Sequence, residues 1–235
     1  MLDEYGHDVA AIIVEPLQRI IPPAPGFLKD LRDECTARSI ILIFDEIVTG
    51  FRLSYGGAQE EYNVIPDLCS LGKIIGGGFP LAAVAGRKEI MDHFDKSVVG
   101  QDKFLMQLGT LSGNPVAAVA GLKTMEILRR GESYQTLKNT GERIMKMITK
   151  VLDRDGHPHV VLGHPTLFDI GFTSTQVTDY RSWLAVDVKK NAAFNKTLRE
   201  KGIFKSPGKL YPSLAITEED LQITEAALDM ASSIL

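Results

Sequence analysis

The chain has 235 residues, of which 44% are hydrophobic and 24% charged, and its formal net charge is −4. This composition is typical of a globular protein with a substantial core. The negative net charge argues against a nucleic-acid-binding surface. No apolar run reaches the roughly 20 residues that a transmembrane helix needs. The two cysteines, Cys35 and Cys69, form neither a disulfide framework nor a metal-ligand pattern, so we expect a reduced, cytoplasmic protein.

The first part of the chain alternates between apolar runs and a helical pattern. Residues 9–14 form a continuous apolar run, which is typical of a strand covered on both faces. Residues 27–38 have amphipathic helical spacing, and residues 40–44 form the next buried strand. Strand, helix and strand in so short a stretch predict a βαβ unit with a parallel sheet. Further strands are expected at 67–71 and 81–85.

The connections between these elements are less regular. We expect residues 54–62 to be a short exposed helix or a loop, residues 87–94 to be helical and residues 97–108 to be an irregular loop. Asn114 is placed to cap a helix that begins at Pro115, where the missing amide proton of proline removes no hydrogen bond.

The pattern changes after Gly131, and we place a domain boundary near residue 130. Long helices are expected at 133–152 and 217–235, the second one capped by Thr217. Between them we expect a smaller sheet and one further helix, with strands at 160–162, 167–172, 203–204 and 210–214 and the helix at 191–201. The fold class is therefore α/β, with a larger domain at 1–130 and a smaller α+β domain at 131–235.

An acidic pair, Asp45 and Glu46, follows the strand at 40–44. Ligands of open α/β sheets bind at the carboxyl ends of the strands, and a partly dehydrated acid needs a partner: a metal, a hydroxyl or a protonated nitrogen. A turn or helix cap is an equally good interpretation of Asp45. A metal site is disfavoured, because no histidine or second acid has ligand spacing nearby. Glu46 is interpreted as a structural acid.

Lys73 lies in a stretch that is otherwise apolar or glycine, just before Gly76, Gly77 and Gly78. Both flanks look buried, and a desolvated amine is a good nucleophile, whereas a solvent-exposed lysine is the ordinary alternative. The sequence is not a P-loop, since the required Ser or Thr after the lysine is absent. Farther on, Thr110 precedes a helix N-terminus that could bind an anion, although simple helix capping is the favoured interpretation.

Taken together, these segments resemble the class-III, fold type I aminotransferases, which use pyridoxal 5'-phosphate. The tail of the chain, residues 209–220, resembles the branch of that family that contains the glutamate-1-semialdehyde 2,1-aminomutases. The resemblance covers essentially the whole chain and rests on the motifs AIIVEP at 11–16, PAPGFL at 23–28, LIFDEIVTGFR at 42–52, PDLCSLGKIIGGGFP at 66–80 and GTLSGNP at 109–115.

This resemblance implies a role for each candidate residue. Lys73 would form the covalent link to the cofactor and then move the proton at the substrate carbon. Asp45 would pair with the pyridine nitrogen and keep it protonated, which lets the ring accept electrons. Ile47 would pack on the face of the ring. Thr110 would reach the cofactor phosphate of the neighbouring subunit, which implies a homodimer.

The implied function is transfer of an amino group between a small amino donor and a keto acceptor. An aminomutase-like isomerase and a non-catalytic subunit that keeps the scaffold remain open alternatives. Family members are close to twice as long, and their N-terminal half carries the turn that binds the phosphate and an aromatic residue that stacks on the ring. We therefore expect this chain to correspond to the C-terminal half, and to bind the cofactor poorly in isolation.

Overall fold

The computed structural model describes residues 2–235. Contacts divide the chain into two compact units, one made of residues 2–16 and 25–130 and the other of residues 17–24 and 131–235. The assignment of these units to a cofactor-binding domain and a small C-terminal domain stays a prediction. None of the helices in the described part of the chain is long and apolar enough to cross a membrane.

The first unit is built on a four-stranded sheet with its strands in sequence order. The first three strands are parallel and the fourth is antiparallel to the third, so the predicted parallel βαβ unit is confirmed. The strands are β1 (Ala11–Val14), β2 (Ile41–Asp45), β3 (Leu68–Leu71) and β4 (Ala83–Gly86).

Six helices belong to this unit, and two of them differ from expectation. They are α1 (Leu2–Tyr5), α2 (Phe27–Ala37), α3 (Gly57–Tyr62), α4 (Lys88–Met91), α5 (Lys96–Val99) and α6 (Pro115–Leu128). The helix α3 is not simply exposed, because Gly57 and Ala58 in its first turn are buried. The stretch at 97–108 is not wholly irregular either: it begins within α5, where Asp95 caps the helix by accepting a hydrogen bond from the Ser97 amide.

The core of the first unit lies between α2 and one face of the sheet. Leu28 and Cys35 of α2 pack with Leu42 and Phe44 of β2, and Ile12 and Val14 of β1 join them. The next side chain on the other face of β1, Ile13, is 66% exposed, so the expectation that this strand is covered on both faces was wrong. An apolar run shows that a segment can be buried, but it does not show which of its two faces is covered.

The second unit contains a two-stranded antiparallel hairpin and four helices. Its hydrophobic core lies where the long helices meet the hairpin, with Ile148, Phe168, Phe194 and Leu228 fully buried. The elements are α7 (Ser133–Arg154), β5 (Val160–His164), β6 (Leu167–Gly171), α8 (Tyr180–Trp183), α9 (Val188–Glu200) and α10 (Glu218–Ser233). The strands expected at 203–204 and 210–214 are absent as continuous elements from this described unit; Leu210 makes only an isolated bridge with Phe168.

Two helix starts have the caps that the sequence predicts. Asn114 accepts hydrogen bonds from the amides of Val116 and Ala117, at 2.9 and 3.3 Å, at the start of α6. Thr217 and Asp220 form a reciprocal capping box at the start of α10. Each cap satisfies amide donors that have no partner within the first turn of a helix.

Candidate active site

Asp45 is the last residue of β2 and stands in register with Ser70 of β3. Its Oδ1 atom accepts two hydrogen bonds, from the Ile47 amide at 3.1 Å and from the Ser70 hydroxyl at 3.0 Å. Its Oδ2 atom accepts none from residues 2–235. The bond to Ile47 caps the turn, as the structural interpretation of Asp45 requires, yet half of the carboxylate stays available to a ligand.

Glu46, the next residue, points to the other face of the sheet and is only 1% exposed. It accepts hydrogen bonds from the Thr49 hydroxyl at 3.0 Å, the Ala58 amide at 2.6 Å and the Gln59 side-chain amide at 2.8 Å. These bonds tie the turn after β2 to the start of α3. Glu46 is therefore a structural acid, as predicted.

A cavity of about 540 Å³ opens beside Glu46, and Cys69 and Leu71 of β3 contribute to its wall. Successive side chains of a strand point to opposite faces, so this cavity lies across the sheet from Ser70. Neither Asp45 nor Lys73 lines it. The cavity and the candidate site are separate features.

Lys73 begins a tight 3-10 turn, Lys73–Gly76, that follows β3 directly. Its backbone has a positive φ of 49°, which is uncommon for a residue other than glycine and is often found at functional sites. Ile75 and Gly76 in the same turn are buried, but the Lys73 side chain is exposed and forms no hydrogen bond or ion pair with any described residue. The expectation of a desolvated amine was wrong, because the turn buries the backbone around the lysine and directs its side chain outward.

The helix α6 packs against this turn through two glycines. A Cβ atom at Gly121 would overlap the backbone carbonyl of Ile75, and one at Gly77 would come within 2.8 Å of the Ala120 carbonyl. Gly77 also has a positive φ of 57°, which a side chain would strain. The close approach of α6 therefore holds the backbone that carries Lys73.

Ile47 and Gly72 connect the acid to the lysine. A Cβ atom at Gly72 would lie 3.0 Å from the Cδ1 atom of Ile47, so the half-buried Ile47 side chain rests over Gly72, next to Lys73. The structure thus places Asp45, Ile47 and Lys73 at the carboxyl ends of β2 and β3, where sheets of this class bind ligands.

Thr110 is not brought to these residues by the described chain. It lies in an exposed turn ahead of α6 and makes no hydrogen bond within residues 2–235. The first free amides of α6 bond to Asn114, which is the capping arrangement that the sequence favours. The role of Thr110 in a neighbouring subunit stays a prediction.

Sequence reasoning missed Ser70, and it also missed the anchor of β3, Asp67. Asp67 accepts hydrogen bonds from the Leu42 amide at 2.8 Å, from Arg32 at 2.7 Å and from Arg87 at 3.0 Å. Burial acts to raise the pKa of the Asp67 carboxyl, but the Leu42 amide and the two guanidinium groups together hold it below its usual value. An acid at the start of a buried strand was the available signal, but its partners come from distant parts of the sequence.

Comparison with known proteins shows which family the chain is similar to. The family model described as aminotransferase class-III matches residues 1–234. Glutamate-1-semialdehyde 2,1-aminomutase from Desulforamulus reducens is 43% identical over 96% of this chain, which covers 53% of the length of that enzyme. The enzyme of the same name from Natranaerobius thermophilus is 36% identical over 100% of this chain, which covers 56% of its length. The chain therefore spans about half the length of the curated relatives it matches.

Solved structures give the same fold. An omega-transaminase from Sphaerobacter thermophilus superposes with a TM-score of 0.92 at 32% identity, over 99% of this chain and 53% of that protein. A transaminase solved with PLP bound superposes with a TM-score of 0.86 at 27% identity, over 99% of this chain and 54% of that one.

Proposed function

The chain belongs to the class-III aminotransferases, and from this membership we propose that it is the part of a pyridoxal-phosphate-dependent enzyme that carries the lysine and the acid of the active site. One observation carries the proposal. Asp45 and Lys73 lie at the ends of neighbouring parallel strands. One carboxylate oxygen of Asp45 is hydrogen-bonded and the other is available, and the Lys73 amine has no partner among the described residues.

These residues fit the cofactor of the family chemically. Pyridoxal phosphate has a ring nitrogen that carries a proton and an aldehyde that condenses with an amine, and when bound it supplies an electron sink for the substrate carbon. The free Oδ2 atom of Asp45 would accept the hydrogen bond from the ring nitrogen and keep its proton in place. The Lys73 amine would hold the cofactor covalently and later move a proton at the substrate carbon, and Ile47 would cover one face of the ring.

The reaction we propose is transfer of an amino group between a small amino donor and a keto acceptor. A second candidate is an aminomutase, in which the amino group moves within one molecule, and the curated relatives at 36% and 43% identity favour it. A non-catalytic subunit that keeps the scaffold is a third. Assaying the keto product of the amino donor separates the first two, because a transaminase releases it and an aminomutase converts its substrate into an isomer.

We also propose that the protein acts as a homodimer in a reduced, cytoplasmic compartment, and that Thr110 contacts the cofactor phosphate of the second subunit. Its exposed hydroxyl, unbonded within the described chain, is compatible with such a contact. The two cysteines are buried free thiols, which a reducing compartment preserves.

In the test, the purified chain is mixed with pyridoxal phosphate. The absorbance at the short-wavelength edge of the visible range and the molar mass of the protein are then measured. We expect a weak band that saturates only at high cofactor concentration, that is lost in Lys73→Ala and that remains in Lys96→Ala, a matched change of an exposed lysine outside the site. Survival of the band in Lys73→Ala would refute the assignment of the lysine. A monomer with no band at any cofactor concentration would favour the non-catalytic subunit.

A further inference from the structure

The two strands that end at the candidate site pair in parallel up to Asp45 and Ser70. Asp45 of β2 stands opposite Ser70 of β3, and just beyond the ends of the two strands Ile47 lies over Gly72. The end of β2 and the turn after it thus carry the acid and the apolar side chain, and the end of β3 and the residue after it carry a hydroxyl and a glycine. The hydroxyl bonds to the acid, and the glycine leaves room for the apolar side chain.

The hydrogen bonds of Asp45 are distributed unevenly. An ionised carboxylate can accept about four hydrogen bonds, two at each oxygen. Here both donors, the Ile47 amide and the Ser70 hydroxyl, bond to Oδ1. Rotation of an aspartate carboxyl about its last bond is broad and only weakly restricted by its own geometry. A single amide donor therefore leaves the plane of the carboxyl poorly defined, and a second donor from the neighbouring strand defines it.

We propose that Ser70 is a positioning residue for Asp45: its hydroxyl fixes one carboxylate oxygen, so that the other is held in a set direction for the protonated nitrogen of the ring. The role rests on the proposed function of Asp45. Ser70 itself does not touch the ring in this arrangement, and it acts only through the acid.

Gly72 leaves room for the side chain of Ile47, the residue that provides the other donor. The Cδ1 atom of Ile47 lies 3.0 Å from the place where a Cβ of residue 72 would stand, so a side chain there would push the end of the Ile47 side chain aside. Ile47 also provides the amide that bonds to Asp45. The direction of the acid therefore depends on β3 through the bond from Ser70, while the lack of a side chain at Gly72, the residue after β3, leaves room for Ile47.

Three variants test the proposal. Ser70→Ala removes the hydroxyl, and Ser70→Thr keeps it. Ser97→Ala is a matched control, because Ser97 also donates its hydroxyl to an aspartate, Asp95, at 2.6 Å, but at an exposed helix cap outside the site. High-resolution crystal structures of the cofactor-free proteins report the orientation of the Asp45 carboxyl, and titration with pyridoxal phosphate reports its dissociation constant.

In Ser70→Ala we expect the Asp45 carboxyl to rotate or to occupy two orientations. Cofactor binding should weaken up to about tenfold, because binding must then also fix the orientation of the Asp45 side chain. Ser70→Thr and Ser97→Ala should keep the orientation and the affinity of the unaltered chain. An unchanged Asp45 orientation in Ser70→Ala, or a Ser70→Thr protein that behaves like Ser70→Ala, would overturn the proposal.

The structural measurement does not depend on cofactor binding, so it separates this inference from the proposed function. A carboxyl that rotates only in Ser70→Ala, in a chain without any cofactor band, supports the positioning contact and refutes the function. A band that requires Lys73, together with an Asp45 carboxyl that stays fixed in Ser70→Ala, supports the function and refutes the positioning role.

Discussion

Replacement of Lys205 by methionine tests whether a buried ion pair maintains the second unit. The Lys205 ammonium lies 3.0 Å from Asp169 of β6, and the two side chains are only 3% and 4% exposed. Lys205 also donates a hydrogen bond to the Ser206 carbonyl at 3.0 Å, just before the segment that bridges back to β6 at Leu210. Burial raises the pKa of the Asp169 carboxyl, and the adjacent ammonium opposes that rise.

Lys205→Met keeps the length of the side chain but leaves Asp169 buried without its cation. Removal of one partner of a buried ion pair destabilises a protein by about 3–5 kcal/mol. The matched control is Lys196→Met on α9, which breaks an exposed pair with Glu200 one helical turn away and should cost only about 0.3–0.5 kcal/mol. Urea unfolding measures the stability of both variants. It can be followed by the fluorescence of Trp183, which is the single tryptophan of the chain and lies next to Gly171 in the same unit.

Two further measurements sharpen this test. Lys205→Met removes the ammonium that opposes the rise, so the pKa of the buried Asp169 carboxyl is raised further in the variant than in the unaltered chain. A protein in which folding raises the pKa of a carboxyl loses stability as pH rises through that pKa, so the deficit of Lys205→Met should grow with pH above the ordinary carboxyl value of 3.8 and shrink below it. The double variant Asp169→Leu with Lys205→Met removes both charges and should recover most of the loss. If Lys205→Met loses no more stability than Lys196→Met, or if the double variant loses as much as the single one, the reasoning fails.

Two other substitutions test the first unit. Gly121→Ala should destabilise the protein by about 1–3 kcal/mol, because the added Cβ atom would overlap the Ile75 carbonyl. The control is Gly131→Ala, which should have little effect because a Cβ atom there would meet no atom within 4 Å. Thermal unfolding followed by circular dichroism compares the two variants, and equal losses of stability would contradict the close packing of α6. Asp67→Asn should lower the free energy of unfolding by about 1.5–3 kcal/mol at neutral pH, because it weakens the hydrogen bonds that the charged Asp67 carboxylate accepts. Since the folded pKa of Asp67 lies below its ordinary value of 3.8, this deficit should disappear as pH falls through that region, and a deficit that does not change with pH would refute it.

The candidate site combines a strained backbone with close support. Lys73 has a positive φ, which a non-glycine residue adopts at an energetic cost, and α6 approaches the same turn closely enough that Gly121 and Gly77 have no room for a side chain. On the other side, Ile47 rests over Gly72. Glycine at these positions therefore allows the surrounding elements to hold the lysine backbone in one conformation, while the amine itself remains accessible.

Much of this architecture was predictable from local sequence. Apolar runs ending in an acid or a glycine located β2 and β3, and Asn114 and Thr217 marked the starts of α6 and α10. These signals are local, because a strand, a cap or a turn depends mainly on residues within a few positions of one another. The positions of Asp45 and Lys73 just past two predicted strands were enough to place them at one end of a sheet, whereas Ile47 was identified only by the family resemblance.

By itself, then, the sequence determined the class of fold, its main elements and the acid and lysine of the candidate site. Only the tertiary structure decided that Ser70 bonds to Asp45, that Lys205 pairs with Asp169 and that the Lys73 side chain is exposed. The physical reason is the same in each case. Strand register, burial and the pairing of charges depend on which distant segments meet, and a pattern of neighbouring residues does not contain that information.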